Sequence, residues 1–272
     1  MTLRGCGFHA DPDVIVSAQL IAYHARGLVG AAPSSLPASF SWRAMLPPLP
    51  SGSPDLVDQG QTNSCVGAAL SSSILLRSHI SGSPIKRPSA KAIYDLARMQ
   101  AAPRAATLFD GGCSPTDAIN GIKEYGLVAE SRWPLQDQNA GTDYINAKPP
   151  LDVFHHGLEA LLGQHYRIAP GRGSAQLLRE ALFQGYIPTF AMDVFEDYSN
   201  YDGSAVYRAT GGHFVGRHMQ AIVGWAEDYF EVLNSWGLDW GDEGFSRIAD
   251  SFIESRGVDS LLVTTVIPLS VS

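Results

Sequence analysis

The sequence is poor in cysteine, in basic residues and in long apolar runs. Only three of its 272 residues are cysteines, an odd number without regular spacing, which argues against a disulfide framework and fits folding under reducing conditions. The 19 Lys and Arg residues are outnumbered by 27 Asp and Glu, so nucleic acid is not an expected main partner. No apolar run reaches the roughly 18 to 20 residues of a membrane span, so no membrane partner is expected.

The remaining composition is consistent with a soluble enzyme. With 272 residues, 45% of them hydrophobic, the chain can bury a core large enough for one two-lobed domain or two small ones. Residues 1–13 lack the apolar stretch of a secretory signal. The cytoplasm is therefore the default location, although a leaderless export route would leave no trace in the sequence.

Helix signals fill the first half of the chain, and strand signals fill the second. Helices are predicted over residues 64–81, 89–101 and 114–126, the last with Ser114 as its N-cap. After a polar, proline-rich region the pattern predicts a helix at residues 174–184. Strand-like runs follow at residues 187–192, 219–225, 229–233, 245–248 and 261–267.

The most informative motif, Asp-Gln-Gly-Gln-Thr-Asn-Ser-Cys-Val-Gly at residues 58–67, sets Cys65 at the start of the first predicted helix. A thiol is a nucleophile only as its thiolate, and the unpaired N–H groups of a helix's first turn stabilise negative charge there. Most cysteines are simply small buried apolar residues. The position at a helix start favours a nucleophile instead.

His218 and Asn234 are candidates for the base and for the residue that orients it. They stand in two apolar strands, residues 217–225 and 229–234, separated by a short turn. Adjacent antiparallel strands would let the amide oxygen of Asn234 accept one ring N–H of His218 and leave the other nitrogen facing the sulfur. The remaining histidines, His213 among them, are interpreted as structural or solvated.

These residues together resemble the papain-like cysteine peptidases, family C1. The Gln59-to-Cys65 spacing of six (65 − 59), the His218-to-Asn234 spacing of sixteen (234 − 218) and the Asn-Ser-Trp-Gly block at residues 234–237 all match the family pattern. The similarity extends over about residues 36–268. The short leader and the shortage of cysteines are similar to the bacterial branch of the family.

Three positions depart from the family pattern. Val66 stands where plant and animal members usually carry Trp, which implies different packing beside the nucleophile. Thr62 and Phe109 occupy what the resemblance identifies as two half-cystine positions, so that disulfide is absent.

The resemblance implies an α+β, papain-like two-lobed fold. Its helical left lobe would comprise residues 36–150 and carry the nucleophile. Its antiparallel, β-barrel-like right lobe would comprise residues 151–272 and carry His218 and Asn234, with the active-site cleft between the lobes. Residues 1–35 would form a short leader or pro-segment, with a surface-packed or disordered extension as the alternative.

The resemblance also implies the chemistry. Cys65 would attack a peptide carbonyl, and His218 would protonate the leaving amine and then activate the water that hydrolyses the thioester. The thiol and imidazole would rest as an ion pair. The Gln59 amide and the Cys65 backbone N–H would form the oxyanion hole, and Trp236 would shield the Asn234–His218 contact from water.

Substrate contacts are implied less specifically. Gly111 and Gly112 would let substrate backbone pair with the helical lobe, although a simple turn is the competing interpretation. Cys113 and Ser114 would lie near the pocket for the residue before the scissile one, and Trp236 is a further candidate for substrate contact. Arg217, next to the base, is expected to point outward.

The expected function is therefore that of a monomeric cysteine endopeptidase acting on peptides or proteins, with its own leader as a possible inhibitor. Two alternatives stay open. One is a non-catalytic papain-like binding or effector protein, and the other is acyl transfer to an amine. Neither a cofactor nor a metal is expected, because the sequence has no Cys pair and no His-Glu-x-x-His helix.

Overall fold

A computed structural model of the chain describes residues 5–7, 9, 35–48, 55–136, 143–150, 152–155, 160–168, 171–208, 211–255 and 258–268. Three helices dominate the first half: α1 (Cys65–Ile80), α2 (Ala90–Ala101) and α3 (Pro115–Tyr125). Each begins and ends within one residue of its predicted position.

The boundaries of these helices follow from their capping residues. The Ser89 side chain accepts the Ala92 N–H at the start of α2, and Ser114 does the same for Asp117 at the start of α3. At the end of α3, Gly126 has a φ of 81°, which a residue with a Cβ rarely adopts.

The α1 helix is buried on nearly all sides because its residues are small or apolar. Two of its serines avoid a desolvation penalty by donating to backbone carbonyls outside the helix: Ser71 donates to Pro88 O at 2.6 Å, and Ser73 donates to Ile187 O at 2.6 Å. The longest of the described helices, at 16 residues, is thus a core helix, and none of those described is long and apolar enough to cross a membrane.

Seven strands form one antiparallel sheet. They are β1 (Ser39–Ser41), β2 (Ala160–Ile168), β3 (Ile187–Phe195), β4 (Phe214–Ala226), β5 (Tyr229–Leu233), β6 (Phe245–Ala249) and β7 (Val258–Pro268). Their order is β2-β7-β3-β4-β5-β6, with β1 paired to β4. Four further helices are α4 (Asp152–His155), α5 (Ser174–Phe183), α6 (Glu196–Ser199) and α7 (Asp250–Ile253), and 3-10 turns lie at Arg43–Met45 and Tyr144–Asn146.

The helical and β parts have separate hydrophobic cores, which confirms the predicted α+β, two-lobed class. One core lies among α1, α2 and α3, and the other lies between the sheet and its flanking helices. The sheet differs from the barrel-like expectation because its described strands form an open path. The first core also takes in Ala191 of β3 and Met219 of β4, and Leu76 of α1 belongs to the core of the sheet, so the sheet packs along α1.

Candidate active site

Cys65 is the first residue of α1 and is completely buried. Its sulfur lies within hydrogen-bonding reach of the backbone N–H groups of Cys65 and Val66, at the first turn of the helix, and of Met219 in β4. Each of these donors lowers the pKa of the thiol, as expected at a helix N-terminus. The fold thus sets the sulfur between the helix and the strand that carries His218.

His218 and Asn234 meet as the strand pairing predicts. The Nε2 of His218 donates to the Asn234 Oδ1 at 2.6 Å, and the same oxygen accepts the Ser235 N–H at 2.7 Å. Because the Asn234 oxygen can only accept a hydrogen bond, the proton of the neutral ring must be on Nε2. Nδ1 is then the basic nitrogen. Among the residues that the structure describes, Nδ1 has no hydrogen-bond partner. The ring is therefore oriented to take a proton from a neighbouring group.

Trp236 packs on this pair. Its ring stacks on the His218 imidazole with 4.4 Å between centroids and 25° between planes, and only 1% of its surface is exposed. Tyr198 and Trp240 pack against other parts of the same indole. This geometry suits the predicted shielding of the His218–Asn234 hydrogen bond, while substrate contact by Trp236 stays a prediction.

Burial sets the protonation of both groups in this covered site. Loss of water raises the pKa of Cys65 and lowers that of His218 to about 4, although the Asn234 hydrogen bond works against the second shift. Burial thus favours the neutral forms of both groups, and the thiolate–imidazolium pair stays a prediction. Arg217 takes no part, because it is exposed and its Nε donates to Asp193 at 3.1 Å.

Gln59 is fixed at both ends of its side chain. Its Oε1 accepts the Ser235 hydroxyl at 2.6 Å, and its Nε2 donates to Thr62 O at 2.6 Å and to Gly5 O at 3.1 Å. The Gln59 backbone N–H also donates to Ser235 O at 2.9 Å. Ser235 thus orients the amide, a function that the sequence signals only through its place in the Asn-Ser-Trp-Gly block.

Gly111, Gly112, Cys113 and Ser114 lie together at the other side of the site. They line a cavity of about 230 Å³ that Phe109 also borders. Gly112 has a φ of 93°, and its N–H donates to the Tyr94 hydroxyl at 2.9 Å. Ser114 is nearly buried and acts as the α3 cap described above, so its hydroxyl is already engaged.

A polar link joins the two loops that lack the family's disulfide. Beside Thr62 and Phe109, the Asn63 N–H donates to Asp110 Oδ1 at 2.9 Å and the Asn63 Nδ2 donates to Asp110 O at 2.7 Å. The Tyr94 hydroxyl donates to the same carboxylate at 2.8 Å. No sequence pattern indicates this link, which ties the loop before Cys65 to the Gly-Gly loop.

Replacing Asp110 by alanine should therefore lower stability. Two hydrogen bonds to a half-buried carboxylate are lost, and we expect a loss of about 1–3 kcal/mol, or a melting temperature several degrees lower. Thermal unfolding of Asp110→Ala against Asp239→Ala, an exposed aspartate, measures the difference. Equal melting temperatures for the two variants would show that the link contributes nothing.

A backbone segment near the N-terminus, residues 5–7, lies directly on Cys65, the candidate nucleophile. The Gly7 N–H donates to the Cys65 sulfur at 3.4 Å, and the Gly5 carbonyl accepts the Gln59 amide at 3.1 Å. The fit is close, since a Cβ on Gly7 would lie 2.0 Å from Asn63 O. The candidate oxyanion donor therefore already binds a peptide carbonyl.

The same segment pairs with the Gly-Gly loop. The Cys113 N–H donates to Gly7 O at 2.8 Å, and the His9 N–H donates to Cys113 O at 2.9 Å. Cys113 thus donates to residue 7 and accepts from residue 9, which is the hydrogen-bond pattern of two parallel strands. The His9 ring also donates to Gly111 O at 2.7 Å.

Across the described residues, no group of three potential ligands is arranged for a metal.

Comparisons with known proteins agree with this geometry. The family model described as papain family cysteine protease matches residues 36–266. A gut-specific cysteine proteinase of Caenorhabditis elegans is 42% identical over 127 residues, which is 45% of this chain and 35% of the relative. The cathepsin B-like CP3 of Giardia intestinalis is 27% identical over 82% of this chain and 72% of its own length. Most of the curated relatives are matched over 40% or less of their length.

Solved structures show the same fold. Xylellain, a cysteine protease from Xylella fastidiosa, superposes with a TM-score of 0.72 at 20% identity, over 98% of this chain and 97% of its own. The procathepsin B S9 of Trypanosoma congolense gives a TM-score of 0.67 at 20% identity, over 98% and 87% of the two chains. With the family model covering most of its length, the chain belongs to the papain family of cysteine proteases.

Proposed function

We propose that the chain is a cysteine endopeptidase that hydrolyses peptide bonds through a thioester on Cys65 and is held latent by its leader. The observation that carries this proposal is the peptide segment already seated on the site, with one N–H on the nucleophile and one carbonyl on the Gln59 amide. A site that accommodates peptide backbone at both positions suits a peptide substrate.

In the proposed reaction, His218 Nδ1 takes the Cys65 proton, and the sulfur attacks the scissile carbonyl carbon. The imidazolium then gives its proton to the leaving amine as the C–N bond breaks. Water, deprotonated by His218, attacks the thioester and releases the new carboxyl end together with the free thiol. The Asn234 oxygen holds Nε2–H throughout, which keeps Nδ1 directed toward the reacting atoms.

The Gln59 amide and the Cys65 N–H would stabilise the oxyanion of each tetrahedral intermediate. Replacing Gln59 by alanine in a chain that begins at Ser35 should lower kcat about 10²- to 10³-fold with little change in KM. Ser235→Ala serves as the matched control. It removes the hydroxyl that orients Gln59 but keeps the donor, so we expect a loss of about tenfold or less. Equal losses in the two variants would contradict the role of Gln59.

The cavity beside Cys113 is the proposed site for the side chain of the residue before the scissile one. Its wall is formed in part by Gly111, Gly112 and Cys113. Replacing Cys113 by a bulky residue should change the ranking of substrates in a peptide library while Cys65 still reacts with a thiol reagent. An unchanged ranking would remove Cys113 from the pocket.

The leader is proposed to inhibit because it presents the wrong group to the sulfur. Nucleophilic attack needs a carbonyl carbon, but Gly7 offers an N–H, and the carbonyl on Gln59 belongs to Gly5, two residues away. The segment also covers the thiol, and burial favours its neutral, unreactive form. Both effects end when the leader leaves the cleft.

One experiment separates this function from its two rivals. An unfolded protein is incubated with the chain beginning at Ser35 in ¹⁸O-labelled water containing a small primary amine, and products are identified by mass spectrometry. Hydrolysis puts one ¹⁸O into each new carboxyl end, whereas acyl transfer yields amides of the added amine. We expect labelled carboxyl ends that are absent with Cys65→Ala. Amide products alone would identify a transferase, and an intact substrate would identify a binding protein.

A further inference from the structure

All three cysteines of the chain meet at the active site. Cys65 is the proposed nucleophile, Cys113 lies in the same buried core, and Cys6 belongs to the leader segment that covers the sulfur. Cys6 directly precedes Gly7, whose N–H donates to the Cys65 sulfur, and burial, with a smaller effect from Cys65, raises the pKa of both Cys6 and Cys113. Peptide hydrolysis uses only the Cys65 thiol, and Cys113 is a proposed part of the substrate pocket, so the proposed function gives no part to the Cys6 thiol.

Cys6 is the thiol best placed to react with Cys65. The Gly7 nitrogen lies 3.4 Å from the Cys65 sulfur, and the preceding Cα is about 2.4 Å from a peptide nitrogen, so the Cys6 Cα is within about 6 Å of that sulfur. In a disulfide, a cysteine's Cα is three bonds from the partner's sulfur, and the S–S bond itself is about 2.05 Å long. The Cys6 side chain packs against Gly216, so its sulfur has to turn from this strand toward Cys65 as the backbone of residues 5–7 shifts.

The surroundings of Cys6 also suit a cysteine that forms a disulfide with an oxidised Cys65. Cys6 is half-buried, whereas Cys65 and Cys113 are almost completely buried. Its Cβ lies 2.7 Å from the position that a Gly216 Cβ would occupy, so only a glycine at this point of β4 makes room for it. Gly216 is two residues before His218, which sets Cys6 on the strand of the base. Cys113, by contrast, is almost completely buried, and its backbone N–H and carbonyl are paired with Gly7 and His9.

We propose that Cys6 and Cys65 form a reversible disulfide under oxidising conditions, which locks the leader onto the nucleophile and protects the sulfur from irreversible oxidation. This inference rests on the proposed activation of Cys65 by His218 and on the proposed covering role of the leader. It adds a redox modification site to a segment that otherwise acts only by covering the cleft.

The chemistry balances with hydrogen peroxide as the oxidant. When the leader moves away, the Cys65 thiolate attacks a peroxide oxygen, the O–O bond breaks, and the hydroxide takes the proton from His218 to leave as water. When the leader returns, the Cys6 sulfur attacks the sulfenic acid on Cys65. The S–S bond forms, the S–O bond breaks, and the oxygen leaves as a second water with the Cys6 proton. Two thiols and one peroxide thus give one disulfide and two waters.

Closure slows the first step in the reduced protein. Burial raises the pKa of Cys6 to about 12 and also raises that of Cys65, so neither thiol is ionised near pH 7 while the leader is in place. Oxidation therefore begins in the open form, in which Cys65 is accessible. The return of the leader then competes with the reaction of a second peroxide at Cys65. If the leader returns first, the disulfide forms, and if the peroxide reacts first, Cys65 is oxidised irreversibly.

The test uses the full chain, reduced and freed of reductant, then treated with a few equivalents of hydrogen peroxide. Free thiols are alkylated, and the protein is digested without reduction for mass spectrometry. We expect a peptide pair cross-linked through Cys6 and Cys65, and recovery of peptidase activity after dithiothreitol. Cys6→Ser should give no cross-link, accumulate sulfinic or sulfonic acid on Cys65 and lose its recoverable activity. Cys113→Ser should retain the cross-link.

Two results would overturn the proposal. One is a cross-link between Cys65 and Cys113 in place of the expected pair. The other is equal over-oxidation of Cys65 in the unmodified chain and in Cys6→Ser. The peptide map does not require turnover, so it distinguishes the failure of this inference from that of the proposed function. A cross-link together with no hydrolysis by the chain that begins at Ser35 would contradict the peptidase proposal alone, and hydrolysis without a cross-link would contradict the disulfide alone.

Discussion

Replacing His218 by alanine should lower kcat for peptide hydrolysis by about 10⁴-fold or more, and Cys65→Ala should have an effect of similar size. Without the imidazole, no group takes the thiol proton or protonates the leaving amine. Because the two residues act as one unit, the double variant should be no worse than either single variant. Steady-state kinetics on a fluorogenic peptide, with chains beginning at Ser35, measure all three.

His213→Ala is the matched control for this series. His213 lies five residues earlier on the same segment, is exposed, and makes its contacts with Glu196 through backbone atoms and through the glutamate side chain. Its loss should leave kcat within a few-fold of the parent chain, as is usual for exposed positions. Additive losses in the double variant, or an equal loss in His213→Ala, would contradict the Cys65–His218 unit.

Removing residues 1–34 should raise the rate of hydrolysis of small peptides by about 10²-fold. The described part of the leader makes several backbone hydrogen bonds to the cleft, and even three of them at about 1 kcal/mol each would hold the site closed by that factor. A chain that begins at Ser35 keeps Pro37 and Ala38, whose carbonyls accept hydrogen bonds from Trp225 and Glu227. The measurement compares the rates at which the shortened chain and the full chain hydrolyse the same peptide.

Gly7→Ala gives the same test without shortening the chain. Its added Cβ would meet the Asn63 carbonyl at 2.0 Å, so the leader should leave the cleft and the rate should rise. Release should also return water to the site, so that the pKa of Cys65 falls and that of His218 rises toward their usual values. Unchanged rates in both forms would exclude inhibition by the leader.

The sequence predicted elements whose signals are local. Ser89, Ser114 and Gly126 specify the ends of α2 and α3 through their own side chains or conformations, so these boundaries could be predicted. The strand β1 has only three residues and owes its conformation to pairing with β4. The strand β2 carries a register shift between Leu162 and His165, which breaks the alternation that reveals a strand. Both were therefore missed.

The candidate site likewise contains features that sequence spacing predicts and features that depend on tertiary contacts. Fixed spacings identified Gln59, Cys65, His218 and Asn234, and the predicted His218–Asn234 hydrogen bond is present. The Asn63–Asp110 link depends on two loops that are 47 residues apart meeting in space, and no periodic pattern encodes such a meeting. The raised pKa of Cys65 and the lowered pKa of His218 likewise depend on how deeply the folded chain buries the two groups. Burial of this kind follows from tertiary structure rather than from spacing.

The most direct test of the central claim is covalent labelling of Cys65. The full-length Gly7→Ala chain, which keeps all three cysteines, is treated with an epoxysuccinyl thiol-peptidase inhibitor, and the modified residues are identified by mass spectrometry. We predict alkylation confined to Cys65 and abolished by adding His218→Ala. Equal labelling of Cys6 and Cys113, or labelling of Cys65 that is unchanged without His218, would contradict an activated thiol and favour a non-catalytic member of the family.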